Sequence, residues 1–420
     1  MCAVCRCSVR SFGASTHQSS RVSQLVQSPR GAHLATRAET AYDPAIPVVS
    51  IELSKPHVRT RHAVLSALLI LLSAVCAGAD EVDDWVKAQL RARHVPGVAI
   101  AVVKDGVVVK TEGYGVADLE HNVPVVRSTV FKIGSVSKQF IAAGVMLLAQ
   151  DGKLRVDDKL HKYLDEAPAA WEPITIRHLL THTSGLRREA PGFDPYKARP
   201  DIDVIRSAYK VPLNGLPGDN YEYSNVGYWA LAEVIHRVSG QPWATFLQER
   251  IFAPLGMTAT RLTTVFDIVV GRAEGYTWRD NVFSNSEDYL ALRPSGAFMS
   301  TVGDMANWEV ALQTGRILSP QTKTEMWTAV RLNNGSEYPY GYGWEVDYFP
   351  NGVGTTDVPM IRHEGSIPGF RAVYWRLPNQ RVTVIVLSNL QGAALDQLTA
   401  GIALRYAPDV KRAYEKRWPQ

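Results

Sequence analysis

The chain has 420 residues, 46% of them hydrophobic and 20% charged, which is ordinary globular composition with room for one large domain or two packed ones. Its formal net charge of +4 belongs to the first 79 residues, which carry eight Lys or Arg against three acids (Glu39, Asp43, Glu52); the rest holds 37 basic and 38 acidic residues, a balance of −1. That body has no basic excess to suggest nucleic acid as a partner. All four cysteines (Cys2, Cys5, Cys7, Cys76) precede residue 80, so disulfides, thiol catalysis and Cys-ligated zinc are excluded downstream.

Residues 1–57 are rich in Ser and Arg and lack periodicity, as in a disordered extension. The next stretch reads as a signal peptide over 58–79. Thirteen mostly apolar residues (63–75) follow Arg59 and Arg61 and lead into Ala77-Gly78-Ala79, a small-residue cleavage site. The expectation is export, to a periplasm or the medium. Cys76 offers a lipid anchor as an alternative, although Val75 before it is bulky for that purpose. Any contact with a membrane would come through this leader or anchor. The extension in front of an export signal has two readings: a mis-assigned start, with translation beginning near Val58, or an organelle-targeting presequence.

From Asp80 the chain reads as a folded domain to residue 420. Val82, Trp85, Val86 and Leu90 recur at helical spacing, and Pro96-Gly97 ends that helix. Strands over 98–103 and 107–115 flank Asp105-Gly106, a hairpin signal. Helices are then predicted over 135–150, over 174–186 with Gly185 as cap, over about 225–240, and on to about 330. Strands return at 341–347, 369–377 and 381–389, the last two joined by Pro378-Asn379-Gln380, and a helix over 392–406 follows. The fold class is α+β: a mainly antiparallel sheet built from both termini and flanked by helices, with a large helical lobe (about 131–335) inserted in it.

Ser135-Val136-Ser137-Lys138 is an S-x-x-K sequence at a predicted helix start. Residues three apart share a helix face, so the lysine amine reaches the serine hydroxyl. Unpaired N–H groups at a helix start favour developing negative charge. A serine needs such activation, and a lysine supplies it when its surroundings favour the neutral amine. The four residues alone fit helix capping equally well. A second S-x-x-K, Ser207 to Lys210, lies inside a helix predicted from about Asp201 and reads as solvent-facing.

The surroundings of Ser135 add specificity. Phe131-Lys132-Ile133-Gly134 precedes it, Tyr223-Ser224-Asn225 comes about ninety residues later, and His363-Glu364-Gly365-Ser366 stands just before a predicted strand pair. With segments 174–186, 252–257 and 295–308, these motifs resemble the serine β-lactamase and penicillin-binding protein superfamily. The likeness runs over about 80–410 and points to the branch of class C β-lactamases, D-alanyl-D-alanine carboxypeptidases and related esterases. The resemblance implies a β-lactamase/transpeptidase-like fold and a serine hydrolase working without cofactor or metal on a small-molecule or peptide substrate. It implies Ser135 as nucleophile and Lys138 with Tyr223 for the proton transfers. Asn225 would bind substrate or orient Lys138. The Ser135 and Ser366 N–H groups would form the oxyanion hole, with His363 and Gly365 beside the substrate. As separate residues, Tyr223 reads as a core tyrosine and Asn225 as a helix N-cap.

The third motif departs from the Lys-Thr-Gly of many β-lactam-handling members. A lysine offers a fixed positive charge for a substrate carboxylate, whereas histidine is largely neutral at pH 7. The expected donors shift toward esters, amides and peptides without a free carboxylate. His178 and His182 are four apart on a predicted helix, ligand spacing without a third ligand. A G-x-S-x-G elbow, a P-loop and a dinucleotide fingerprint are absent. The alternative to a hydrolase is a catalytically silent binding or assembly protein on the same fold.

Overall fold

The computed structural model describes residues 81–417, apart from 198, 263–265, 288–293, 297 and 350–357. The extension, the signal-peptide reading and all four cysteines lie outside the described residues. Among those described, no helix is long and apolar enough to cross a membrane.

Both ends of the described chain meet in one sheet. β1 (Gly97–Lys104), β2 (Val107–Asp118) and β3 (Val123–Pro124) come from its start, and β4 (Glu345–Tyr348), β5 (Pro359–Ile367), β6 (Phe370–Leu377) and β7 (Val382–Ser388) from its end. The order is β4-β5-β6-β7-β1-β2-β3, and every neighbouring pair is antiparallel. β1 closes onto β7 with Val98 opposite Ser388 and Lys104 opposite Val382. Asp105 and Gly106 in the hairpin both have positive φ (52° and 77°), the geometry that makes Asp-Gly a two-residue turn.

The sheet is covered on both faces, which explains the unbroken apolar run of β1. Ala99, Ala101 and Val103 belong to one core cluster with Ala372 and Tyr374, while Val98, Ile100 and Val102 belong to a second with Val373 and Trp375. The second cluster is closed by α1 (81–92), which buries Val82 and Val86, one helical turn apart. The first joins the sheet to the helices, among them α2 (Lys138–Gln150), α3 (Ile176–Leu180), α4 (Asn225–Ser239) and α5 (Val302–Thr314). α6 (Asp396–Tyr406) packs beside α1, where the Trp85 indole N–H donates to Leu398 O at 3.2 Å.

Four local expectations are corrected. Residues 134–137 form a 3₁₀ turn and the α-helix starts only at Lys138, because Gly134 sits at φ +51° and tightens the entry. The helix predicted over 174–186 is five residues long, capped by Thr175, and His182 at φ +58° lies beyond its end. The N-cap of α4 is Ser224, whose hydroxyl accepts from Gly227 N–H at 3.0 Å, and Asn225 is the first helical residue. His363 to Ser366 precede the strand pair β6–β7 as expected, but they are not a connecting segment; they lie within a strand of their own, β5. β5 went unread because His363 and Gly365, at buried positions between Ile361 and Ile367, interrupt the apolar alternation of its inner face.

Candidate active site

The tight turn after Gly134 carries Ser135 to the junction of the sheet and the helices. Gly134 is required there twice over: its φ is left-handed, and a Cβ would stand 2.9 Å from Ser366 N. A Cβ on Gly365 would lie 1.9 Å from Ile133 O. The β5 backbone is therefore pressed against the serine turn, with Ser366 beside Gly134.

One turn on, Lys138 is fully buried. Its Nζ lies 3.2 Å from Ser135 Oγ and donates to Asn225 Oδ1 and to Ser295 O, each at 2.9 Å. Nζ also sits 4.7 Å from the centre of the Tyr223 ring and 5.4 Å from that of Tyr228. The Tyr223 hydroxyl is hydrogen-bonded to the Ser135 side chain, and burial pushes its ionisation well above the ordinary range, against the opposing pull of that bond and of Arg188. Tyr223 is accordingly a neutral phenol near pH 7. Asn225 is held by both ends of its amide, donating from Nδ2 to Glu189 Oε1 at 2.7 Å while Oδ1 accepts from Lys138.

His363 is 2% exposed. Its Nδ1 lies 2.8 Å from Glu364 O and its Nε2 3.0 Å from the Tyr340 hydroxyl. Burial first, then the charges of Lys138 and Arg362, lower its pKa to about 3, with the bond to Glu364 O opposing. It is neutral and occupied, so the substrate-facing cation of a Lys-Thr-Gly motif has no counterpart at this position. Glu364 points to the other side of β5, where Arg362 (2.8 Å) and Arg371 hold its carboxylate.

All seven residues singled out in the sequence, Ser135, Lys138, Tyr223, Asn225, His363, Gly365 and Ser366, thus meet at one junction. Four neighbours were not foreseen as site residues: Ser295, Glu189, Tyr340, and Arg188, whose guanidinium lies 5.1 Å from the Tyr223 ring centre. Arg188 and Glu189 open the long segment after Arg187. Ser295 acts through a backbone carbonyl, which no side-chain pattern records.

The other candidates separate. Ser207 donates its hydroxyl to Val204 O at 2.7 Å and is half-buried, with Lys210 exposed. His178 Nδ1 accepts from Thr175 N–H at 3.2 Å, part of a capping box, while His182 is buried near Ser224. The two histidines do not share a helix face.

Residues 82–407 match the family model described as Beta-lactamase. The chain belongs to the beta-lactamase family. Penicillin-binding protein 4* of Bacillus subtilis (strain 168) is 29% identical over 320 residues, 71% of this chain and 69% of that protein. Protein flp of Staphylococcus aureus (strain N315) is 27% identical over 331 residues, 76% of this chain and 64% of its own length, so the chain spans less than two thirds of that relative. Among solved structures, the D-amino acid amidase of Ochrobactrum anthropi SV3 superposes with a TM-score of 0.67 at 24% identity, covering 79% of this chain and 99% of the amidase. These matches bear out the superfamily and the α+β fold.

Proposed function

We propose that this chain is an exported serine hydrolase that cleaves an ester, amide or lactam through an acyl-enzyme on Ser135. The observation that carries this reading is the arrangement around the Lys138 amine. Two of its N–H groups are taken by Asn225 Oδ1 and Ser295 O, oxygens that only accept. Ser135 Oγ lies 3.2 Å from the same nitrogen. A neutral amine so placed offers its lone pair to the proton a nucleophilic serine must lose.

As Oγ attacks the substrate carbonyl carbon, its proton passes to Lys138 Nζ. The negative charge moves to the carbonyl oxygen, which the backbone N–H groups of Ser135 and Ser366 would receive. When the tetrahedral species collapses, the leaving group takes a proton from the Lys138–Tyr223 pair. Tyr223, a neutral phenol, serves as donor and conduit rather than as a standing phenolate. Water then attacks the acyl-enzyme in the reverse sense, its proton again taken by the amine. No cofactor is called for.

The neutral, enclosed His363 supports acyl donors without a free carboxylate. The apolar leader over 58–79 supports export. Penicillin-binding protein 4* makes a penicillin the first lactam to try.

The deciding experiment compares wild type with Ser135→Ala on an activated ester, and follows the intact mass of both with a penicillin. Hydrolysis should fall by at least about a thousandfold in the variant. Equal rates would refute the Ser135 mechanism. A penicillin adduct confined to wild type would put lactams among the donors; turnover of ester without an adduct would place the enzyme with esterases and amidases.

A further inference from the structure

Between the two halves of the site runs a line of polar groups with no contact to Ser135 itself. Ser224 N–H donates to His182 Nδ1 at 3.0 Å, His182 Nε2 lies 3.2 Å from Tyr340 Oη, Tyr340 Oη lies 3.0 Å from His363 Nε2, and His363 Nδ1 lies 2.8 Å from Glu364 O. His182, Tyr340 and His363 are 0%, 1% and 2% exposed, so water does not complete their bonding. We propose that Tyr340 is a positioning residue, the central link of a one-directional hydrogen-bond chain that ties the Tyr223–Asn225 segment to the strand carrying Gly365 and Ser366.

The direction follows from the ends. A backbone N–H only donates and a backbone carbonyl only accepts. His182 Nδ1 must therefore accept, which puts its proton on Nε2, pointed at Tyr340 Oη. At the far end His363 Nδ1 must donate to Glu364 O, which leaves Nε2 as a bare acceptor facing Tyr340. The Tyr340 hydroxyl completes both: its oxygen receives from His182 and its proton goes to His363. Tyr228 is a rival acceptor for that proton, since its hydroxyl is hydrogen-bonded to Tyr340. Giving the proton to Tyr228 would leave the buried His363 Nε2 lone pair against a phenol lone pair, a cost of one unsatisfied polar group. Tyr228 has its own proton placed on Leu180 O at 3.0 Å. The two histidines thus carry opposite tautomers, Nε2–H in His182 and Nδ1–H in His363.

Each end of the chain abuts the reacting region. Ser224 stands between Tyr223 and Asn225, and the His182 ring packs on the Tyr223 ring with centroids 4.3 Å apart. Gly365 and Ser366 follow Glu364 directly along β5. Gly343, three residues after Tyr340, leaves room for a Cβ only at 3.0 Å from Lys138 O, so the Tyr340 segment also runs beneath the lysine. Tyr340 therefore fixes the phenol and the strand N–H relative to each other, and its loss would loosen both at once.

The effect on turnover rests on the Ser135 reading; the polarity of the chain does not. Long-range proton–nitrogen correlation on the full chain labelled with 15N-histidine reads tautomers directly. Three histidines should stay neutral from about pH 6 to about pH 8, His178 and His182 as Nε2–H and His363 as Nδ1–H, and the signals of His182 and His363 should move in Tyr340→Phe. Tyr340→Phe should also lower kcat on an activated ester about tenfold or more with KM nearly unchanged. His182→Gln, which breaks the chain one link earlier, should lower kcat likewise, and it serves if the first variant does not fold. An Nδ1–H tautomer at His182, an Nε2–H tautomer at His363, or either of these two titrating near its ordinary value would overturn the chain. A wild-type kcat in a folded variant with the tautomers confirmed would overturn the positioning role. If wild type and Ser135→Ala cleave the ester alike, the proposed function fails while the tautomers still decide the chain.

Discussion

Lys138 and Arg376 are both buried cations, 0% and 5% exposed, and their surroundings differ in kind. Arg376 lies against a carboxylate. Its Nε donates to both oxygens of Glu309 (3.1 and 2.9 Å), which also accept from the Tyr374 hydroxyl at 2.7 Å, and its guanidinium covers the Trp327 ring at 4.0 Å. The pair ties β6 to α5 across the first core cluster. The partners of Lys138 described above are neutral: an amide oxygen, a carbonyl oxygen, a hydroxyl and two phenol faces. A permanent charge in the interior has its countercharge beside it. The proposed mechanism asks Lys138 to gain and lose a proton, and the neutral partners described above tolerate either state.

Exchanging each cation for methionine separates the two roles. Lys138→Met should lower kcat on an activated ester by about a thousandfold or more, with the denaturation midpoint little changed. A variant retaining most of its rate would end the base assignment. Arg376→Met leaves Glu309 buried without its partner and should cost about 3–5 kcal/mol in denaturant unfolding, while folded molecules keep their kcat. A stable Arg376→Met protein would mean that the pair is not structural.

Acid offers a smaller lever on the site side of the comparison. His182 and His363 are held neutral by burial and the nearby Lys138 charge, His363 with a pKa lowered to about 3. In the unfolded chain both would titrate near the ordinary value of about 6.5. Above that value neither contributes a pH dependence. As pH falls below it the unfolded state takes up protons that the folded state refuses, so stability drops by about 1.4 kcal/mol per pH unit for each histidine. Urea midpoints at descending pH measure this, and a flat profile below neutrality would contradict it. The smallest effect is at the helix entry. Ser224→Ala removes the α4 cap and the bond to Arg187 O (2.8 Å) and should cost about 1 kcal/mol in the same assay.

The parts legible in the sequence were those whose physics is local. Asp105-Gly106 between two β-branched runs marked the hairpin, and helical spacing in 81–92 marked α1. The three short motifs named Ser135, Lys138, Tyr223, Asn225 and His363, which meet at the junction. What stayed hidden depends on distant backbone. Ser295 enters through its carbonyl, Glu189 through an asparagine 36 residues away, and Tyr340 through two histidines from different elements. β5 was illegible for the reason that makes it useful: polar and backbone-exposing residues occupy inward positions where a structural strand would carry valine or isoleucine. His182 shows the same conflict, since the chain leaves its helix at that residue to bring the imidazole under Ser224.

The contact of Gly134 with Gly365 and Ser366 sets a gauge with no adjustable part. Side chains at an interface hop between rotamers, and a gap they define varies with them. Here main chain rests on main chain, so the spacing between the Ser135 turn and the Ser366 N–H is a fixed dimension of the fold. Any residue larger than glycine acts as a shim and spoils the fit. Any change in the shape of the junction must therefore come from its flanks, where Arg188 and Glu189 stand against Tyr223 and Asn225, while the seam between the two glycines stays as it is.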